Sequence, residues 1–516
     1  MLRSYFALLV LIPCAAYSAV FDLPYPEGGT AVDDPGGSLS PELRRYVDAQ
    51  DGDDGRDGKS PSTAWKTFRK VADQKENFSP GTHVLFKRGQ TWTGKLNFEN
   101  VHGQDGNRLV LGTYGLPLYT RARVLGTVSV SKSSYVMVRG FDCVKLDASS
   151  GAHHIVIYDN VVHGSPEIDE YPSNGIRIFA ESHHIAVVSN LVYDLGANDC
   201  IVIHPNATTN AGDNHWILDN VTIGNSGMED GIDLAMSEPK KDPNGPISRD
   251  IKVVGNRVMM RALPGLSVRK GRGSKCFSAG HEGKYIWVVG NTMGGAAHVG
   301  FKTGEIKEYF QISSNVMFNC GDEAGKVMAE LRPRELLTEH NTFLHTSSRR
   351  SVLMIQGINH CFRYNLVIRS QADNQWVTSV DQANISEMDN NWYGYSPDVT
   401  LCSIDWDTWV GTSSFDGNSG RGDVPGVTAP SESGSEADPR TWNDPDFTSH
   451  FIPESNFGGC DGRDTPGAYD CQGNRLGLEI KPMSDLENSG YGWEGPPLVQ
   501  EKLEEMGVVF RVLHKN

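Results

Sequence analysis

Four acidic side chains occur close together in the middle of the chain, each just before or inside a short apolar strand. Glu229, Asp230 and Asp233 fall within Glu-Asp-Gly-Ile-Asp, and Asp199 stands one repeat earlier in Asn-Asp-Cys. Converging carboxylates repel one another unless a cation shares them, and oxygen ligands of this kind suit Ca²⁺. We therefore expect these four residues to form a calcium site, although an acidic edge of solvated turns is the plainer interpretation.

A basic run follows the acidic cluster along the chain. Arg269, Lys270, Arg272 and Lys275 place four positive charges within seven residues of a protein whose net charge is −17. Such runs are usually solvated turns. Here the run follows the acidic segment directly, so we expect a groove with both signs of charge, suited to a polymer with regularly spaced carboxylates or sulfates.

The polar clusters lie between strands that repeat along the chain. Eight asparagines each follow a short alternating run of apolar residues, namely Asn160, Asn190, Asn220, Asn256, Asn291, Asn315, Asn341 and Asn365. Their spacings of 30, 30, 36, 35, 24, 26 and 24 residues indicate a stacked array. Two-residue alternation indicates strands, and asparagine tolerates left-handed turns while its amide can bond the next coil. We predict an all-β fold, a right-handed parallel β-helix with an internal asparagine ladder.

A second family of strands alternates with the asparagine strands and carries the polar clusters. Its members are residues 175–179, 200–204, 231–235, 265–269, 299–303, 326–330 and 351–355. Stacking them predicts one outward column of Arg177, Val202, Asp233, Ser267 and Lys302, at about 4.8 Å per coil. Asp199 then stacks on Asp230, and Lys302 lies two coils, roughly 10 Å, from Asp233.

Composition and the N-terminus indicate an exported β protein. The 516 residues include 56 glycines and 26 prolines, and a solenoid of this length escapes the size limit of a single core. Arg3, the apolar residues 5–13 and the small residues 15–19 predict a secretory signal peptide, cut near Ser18. The negative charge argues against nucleic acid as a partner. No interior apolar run is long enough to span a membrane.

We expect four regions: a signal peptide at 1–18, an N-terminal extension and helical cap at 19–75, a β-helix domain at 76–400, and a loop-rich C-terminal extension at 401–516. The cap is an amphipathic helix ending near Gln74, with Trp65, Phe68 and Val71 on one face. It would cover the strand edges at the open end. Export permits disulfides, and Cys460 with Cys471 is the best candidate pair.

Several motifs together resemble a known group of enzymes. Residues 46–48, Asp54-Gly55, Ser60-Pro61 and 65–68 look like the opening of secreted β-helix enzymes that degrade polysaccharides, and the repeats continue the resemblance to about residue 370. Residues 229–233, with Asp199 one coil earlier, resemble the calcium site of family 9 pectate lyases. Residues 300–304 resemble the strand that carries that family's catalytic lysine. The spacing departs from the family, in which that lysine strand stacks close to the calcium.

The resemblance implies β-elimination from an acidic polysaccharide, with Ca²⁺ as cofactor. It implies that Asp199, Glu229, Asp230 and Asp233 bind calcium. Lys302 or Lys270 would be the base, and Arg269 or Arg272 would hold the substrate carboxylate. Further candidates to bind substrate are Lys275, His298, His204 and Arg177. The protein is expected to act as a secreted monomer, extracellular or periplasmic.

Three alternatives stay open. The stacked acidic strands also resemble inverting hydrolases of the polygalacturonase type, which use two carboxylates ~6.5–9.5 Å apart. The Gly-His-Gly strand of those hydrolases is absent, since residues 264–267 read Pro-Gly-Leu-Ser. A C5-epimerase would share the proton-abstraction step. A polysaccharide-binding β-helix would keep the scaffold and need neither calcium nor a base.

Overall fold

The structure of the protein, a computed structural model, describes residues 39–116, 120–165, 167–168, 171–172, 174–196, 198–204, 213–224, 229–235, 248–260, 275–280, 283–296, 298–304, 308–320, 328–345, 352–369, 377–380, 385–394, 406–412, 415–421, 423–428, 430, 438–454, 465–481 and 494–510. The predicted signal peptide and the predicted site residues Arg269, Lys270 and Arg272 lie outside the described residues.

The chain winds as the predicted right-handed parallel β-helix, and its coils contribute strands to three faces. The first sheet has thirteen parallel strands: Arg44–Val47, His83–Lys87, Leu109–Tyr114, Val136–Arg139, His153–Tyr158, His183–Val188, His215–Leu218, Ser248–Val254, Gly283–Val289, Glu308–Ser313, Arg334–Glu339, Ile358–Arg363 and Ile385–Asp389. Each coil returns to this sheet one strand further along, so contacts between coils are local along the stack.

The second sheet follows the asparagines and consists of short strands: Thr91–Thr93, Val161–His163, Leu191–Tyr193, Val221–Ile223, Arg257–Met259, Thr292–Gly294, Val316–Phe318, Thr342–His345, Leu366–Arg369, Trp392–Gly394 and Gly420–Arg421. The third sheet contains Leu96–Glu99, Ile176–Phe179, Asp199–His204, Asp230–Leu234, Lys275–Ala279, Val299–Thr303, Ala329–Leu331, Leu353–Ile355 and Val377–Val380. Two long strands, Ala122–Ser131 and Phe141–Ser149, run through both sheets. A separate pair joins Glu479–Ile480 to Val509–Phe510.

The predicted asparagine ladder is confirmed, and each rung ties three coils together. Asn256 Nδ2 donates to Asn291 Oδ1 at 2.9 Å and to the Ile217 carbonyl, also at 2.9 Å. Its own Oδ1 accepts from the backbone and side-chain nitrogens of Asn220 at 2.9 and 3.0 Å. The ladder extends beyond the eight predicted rungs to Asn391, whose amide donates to the buried carboxylate of Asp416 at 3.3 Å.

The left-handed residue of each corner is the one before the asparagine. Asp159, Asp219 and His340 have φ values of 52°, 53° and 52°, whereas the ladder asparagines do not adopt this conformation. The prediction that asparagine itself supplies the left-handed turn is therefore wrong. Its side chain must point inward to reach the next coil, so the preceding residue makes the corner.

The helical cap begins later than its sequence pattern indicates. The α-helix is Phe68–Gln74, started by Thr67, whose hydroxyl accepts from the backbone nitrogen of Lys70 at 3.1 Å. Val71 is fully buried, and Phe68 meets Phe86 of the first sheet edge-on at 5.8 Å between ring centroids. Short 3₁₀ helices at Pro41–Leu43, Pro61–Thr63 and Lys75–Asn77 complete this end.

The C-terminal extension packs on two sheets. Trp442, Phe447 and Phe451 contact Phe318 of the second sheet, and helix Pro497–Glu505 contacts the first sheet. The extension contains helices Trp406–Thr412, Pro439–Thr441, Pro445–Thr448, Ser449–Phe451 and Pro497–Glu505. Lys252, a buried lysine of the first sheet, lies 5.1 Å from the ring of Trp216, 5.3 Å from Trp287 and 5.6 Å from Phe510 of the extension. Cys471 is disulfide-bonded, and the proposed partner Cys460 lies outside the described residues. No helix among the described residues is long and apolar enough to cross a membrane.

One predicted strand of the third sheet is replaced by another. Asp230–Leu234 pairs with Lys275–Ala279, so the prediction that 265–269 forms this coil and places Ser267 beside Asp233 is wrong. Phe277 explains the choice, because its ring stacks inside the coil on Phe301 at 4.6 Å. Both segments alternate in polarity, so the sequence pattern alone does not separate them.

Candidate metal and polysaccharide site

Three carboxylates converge on the outer face of the third sheet. Asp199 and Asp230 begin neighbouring strands and are paired in register, as the repeats predicted, and Asp233 follows on the second of these strands. One carboxylate oxygen from each residue lies within 4.8 Å of the other two. Asp199 is 7% exposed and Asp230 is 2% exposed. We call these three residues the acidic triad.

Burial and mutual repulsion raise the pKa of all three carboxyl groups. Loss of solvation is the largest cause, and the neighbouring carboxylates add to it for Asp199 and Asp233. The pKa rises to about 8 for Asp199 and to about 6 for Asp230, and well above the usual range for Asp233. Without a further cation, the triad therefore retains protons at pH values where an exposed aspartate is ionised.

One ammonium group lies within the site. Lys275 Nζ is 2.6 Å from Asp230 Oδ1 and 2.8 Å from Asp230 Oδ2. Burial lowers the pKa of Lys275, but pairing with Asp230 outweighs burial and raises it overall. Glu229, the fourth predicted ligand, is half exposed and its nearest carboxylate oxygen is 4.0 Å from the same ammonium. Glu229 thus borders the triad and does not belong to it.

An outward column joins the acidic triad to Lys302. Asp233 pairs with Ser278, and Ser278 pairs with Lys302 on the following coil. The predicted separation of two coils between Asp233 and Lys302 is therefore confirmed. Lys302 is half-buried. His298 lies just before the strand of Lys302 and is half-buried too.

A second group lies on the other side of the triad, toward the N-terminus. Arg177 and Val202 precede Asp233 in the same column, which the repeats also predicted. The guanidinium of Arg177 donates to both carboxylate oxygens of Asp147, at 3.1 and 3.4 Å. His204 is exposed and its ring lies 5.5 Å from that of Phe179.

Sequence reasoning missed two features of this face. Phe179 is two residues from Arg177 on one strand, so the pattern already places both side chains on the outer face. A single outward aromatic residue, however, gave no reason to select it as a site residue. The pairing of Lys275 with Asp230 depends on which coil follows Asp230–Leu234, across a separation of 45 residues. The register of the coils decides that contact, and spacing along the chain does not.

The acidic triad fits a hard divalent cation. Its donors are carboxylate oxygens, which Ca²⁺ prefers, and they already lie within the span of one ion's ligand shell. Three buried carboxylates face the one ammonium of Lys275, so the charge of the site is unbalanced when all three are ionised. A bound cation would relieve the repulsion that raises their pKa values.

Comparison with known proteins identifies similar folds at low identity. No protein-family model matches the chain, and no curated protein matches it. The pectate lyase Pel9A is 14% identical with a TM-score of 0.43, over 60% of this chain and 79% of that one. A rhamnogalacturonan lyase is 15% identical with a TM-score of 0.44, over 67% of this chain and 87% of that one. The A-module of the Azotobacter vinelandii mannuronan C-5 epimerase AlgE4 is 12% identical with a TM-score of 0.43, over 66% and 87%.

Proposed function

We propose that the protein is a secreted polysaccharide lyase that cleaves a uronic-acid polymer by calcium-assisted β-elimination. The observation that carries the proposal is the convergence of three carboxylates within 4.8 Å on the face that also presents Lys302. A parallel β-helix offers that face as a long, continuous surface, which suits an extended polymer. The names of the similar structures, which include two lyases and an epimerase of polysaccharides, agree with this class of substrate.

The acidic triad would hold the cation, and the cation would stabilise negative charge on the uronate. β-Elimination transfers the C5 proton to a base, forms a double bond between C4 and C5, and breaks the bond from C4 to the glycosidic oxygen, which takes up a proton from water. Negative charge develops on the substrate carboxylate as the C5 proton leaves, and bound Ca²⁺ supplies electrostatic stabilisation there. The contribution of Asp199, Asp230 and Asp233 is to fix the position of that charge.

Lys302 is the proposed base. A sugar lying over Ser278 would be one coil, about 4.8 Å, from Asp233 on one side and from Lys302 on the other. The intervening coil would therefore give the reacting ring its place between cation and base. Lys302 can accept the C5 proton only as the free amine. Lys270 as an alternative base, and Arg269 or Arg272 as the carboxylate clamp, remain proposals from the sequence.

The geometry of the acidic triad bears differently on the two alternative reactions, hydrolysis with inversion and C5-epimerisation. An inverting hydrolase requires carboxylates ~6.5–9.5 Å apart, with room for a water molecule. One carboxylate oxygen of each triad residue lies within 4.8 Å of the other two, which favours a shared cation over that arrangement. A C5-epimerase would use the same proton abstraction and return a proton to the opposite face, so it is distinguished by its products and not by this geometry.

Product analysis tests the proposal. The mature protein is incubated with polygalacturonate, rhamnogalacturonan, alginate and a glycosaminoglycan, each with Ca²⁺ and with EDTA. A lyase produces both unsaturated uronates, which absorb in the ultraviolet, and new reducing ends, and EDTA abolishes both. Reducing ends without unsaturation indicate a hydrolase. An altered uronate composition without chain cleavage indicates an epimerase, and either result would contradict the proposal.

A further inference from the structure

We propose that Phe179, His204 and Arg177 form a second binding subsite for an anionic sugar, on the N-terminal side of the acidic triad. This inference rests on the proposed function in one respect, since it takes the ligand to be part of the same polyuronate chain. The subsite itself contains none of the triad residues, so its existence can be tested by binding alone.

Two aromatic rings form the floor of the subsite. Phe179 and His204 end neighbouring strands and are paired in register, with ring centroids 5.5 Å apart and planes inclined by 34°. Both side chains point outward because the residues before them, Ile178 and Ile203, are buried in the core at 1% exposure. Phe179 is half-buried and His204 is exposed. Adjacent rings on a flat strand face present an apolar surface on which a sugar ring can stack.

The charges beside the rings favour an anionic sugar. Lys145 Nζ lies 3.3 Å from Asp147 Oδ2, and Arg177 donates to both oxygens of the same carboxylate. Two cations therefore share one anion, so these three groups together carry a charge of +1 in a chain of net charge −17. The guanidinium carbon of Arg177 also lies 4.9 Å from the Phe179 ring centroid. Because Asp147 and the Phe179 ring already hold the Arg177 guanidinium, Arg177 loses little further side-chain freedom when it binds a ligand.

The position of the subsite matches the direction of the proposed groove. Arg177, Val202 and Asp233 occupy successive coils of one column, so Arg177 is two coils, roughly 10 Å, from Asp233, and Asp199 lies on the strand of Val202 between them. Val202 is 2% exposed, so the intervening coil adds little contact surface of its own at this point of the column. A polymer lying along the stack would contact the rings and the triad together. The substrate class that fits is a chain carrying several uronates, since a single sugar or a neutral glucan would leave either the rings or Arg177 unused.

Binding measurements without catalysis test this inference. Titration calorimetry in EDTA is performed with oligogalacturonates of increasing length and with neutral cello-oligosaccharides of matched length. We expect the wild-type protein to bind the longer oligogalacturonates more tightly. Phe179→Ala and His204→Ala should each weaken that binding about tenfold, on the scale of one aromatic contact. In both variants, affinity should no longer increase with oligogalacturonate length. In the conservative variant Phe179→Tyr, the increase should be kept.

Controls separate binding from folding and from the proposed reaction. Met354→Ala changes another outward residue of the third sheet, three coils beyond Ser278, and should leave binding unchanged. Arg177→Gln should weaken binding of oligogalacturonates and leave the weak binding of neutral sugars unaltered. The inference is overturned if Phe179→Ala and His204→Ala variants with the wild-type melting temperature bind every oligomer as the wild type does. If the wild-type protein binds oligogalacturonates through the subsite but does not cleave them, the proposed function is contradicted and the inferred subsite is supported.

Discussion

At the scale of single residues, the two lysines next to the acidic triad occupy different electrostatic environments. The ammonium of Lys275 contacts both oxygens of Asp230 and its pKa is raised overall, so it is a poor proton acceptor near neutral pH. Lys302 lies two coils from Asp233, across Ser278, where a bound sugar would separate it from the carboxylates. We therefore propose that Lys275 offsets part of the negative charge of the triad and that Lys302 abstracts the proton.

Substitution of Lys302 should affect turnover and leave binding intact. Lys302→Ala removes the proposed base, and general base catalysis contributes typically about 10²–10⁴-fold, so kcat should fall by that factor with little change in KM. Steady-state formation of unsaturated product measures both constants. Lys132→Ala, which removes an exposed surface lysine paired with Glu99, is the matched control and should behave as wild type. An increase in KM alone would show that Lys302 binds substrate and is not the base.

Individual site residues were predictable to the extent that the strand repeat placed them. The stacking of Asp199 on Asp230 follows from two strands of the same pattern, and the structure confirms it. The position of Lys275 was not predictable, because segments 265–269 and 275–279 show the same alternation and only side-chain packing selects the second. A run of charges along the chain gives no indication of which member turns toward a carboxylate on the previous coil.

At the scale of elements, the asparagine ladder is the feature that fixes the register of the coils. Each rung satisfies backbone groups of the neighbouring coils as well as its own amide, as the four bonds of Asn256 illustrate. The ladder ends at Asp416, whose carboxylate also accepts from Trp409 Nε1 at 3.0 Å. Since the triad residues come from adjacent coils, their distances depend on this register.

Removal of one rung should cost stability far beyond an ordinary surface change. Asn256→Ala leaves several buried donors and acceptors unpaired, each costing about 1–3 kcal/mol, and we expect a loss of roughly 3–5 kcal/mol. Thermal and denaturant unfolding followed by circular dichroism measure the change. Asn77→Ala, at an exposed asparagine near the cap, should change the midpoint very little. Equal effects of the two substitutions would contradict the structural role of the ladder.

The sequence predicted the elements better than their ends. Spacing and alternation identified the ladder and, except for the strand predicted at 265–269, the predicted strands of the third sheet, because both patterns repeat many times. They did not identify the left-handed corner residues, which include Asp, Ser, His, Tyr and Gly and so share no side-chain type. The last rung, Asn391, and its acceptor Asp416 also escaped notice, since the apolar pattern around them is weaker.

At the scale of the whole molecule, the first and third sheets of the β-helix have different partners. Helix Pro497–Glu505 of the C-terminal extension packs against His215–Leu218 of the first sheet, where Trp216 and Lys252 are buried. The third sheet carries the acidic triad, Lys302 and the aromatic pair on its outer face. The extension thus covers part of the first sheet, whereas the proposed binding surface lies on the third sheet; export remains a proposal from the N-terminal sequence.

The central claim is that the acidic triad binds Ca²⁺, and calorimetric titration of Ca²⁺ into EDTA-stripped protein tests it most directly. We predict one site per chain whose affinity increases as pH rises from below about 6 to above about 8, because raised pKa values make protons compete with the ion. Folding stability without Ca²⁺ should depend on pH in the opposite direction from Ca²⁺ affinity. The contribution of these groups to folding stability is greatest at low pH and is lost as pH rises through their raised pKa values.

Two variants that touch the same site should shift the affinity in opposite directions. Asp233→Asn removes a ligand and should weaken Ca²⁺ binding at least about tenfold. Lys275→Met removes the ammonium that competes for Asp230 and should strengthen it. General damage to the site would weaken binding in both. The account is contradicted if Ca²⁺ binds the wild type and the Asp233→Asn variant with equal affinity, or does not bind the wild type at all.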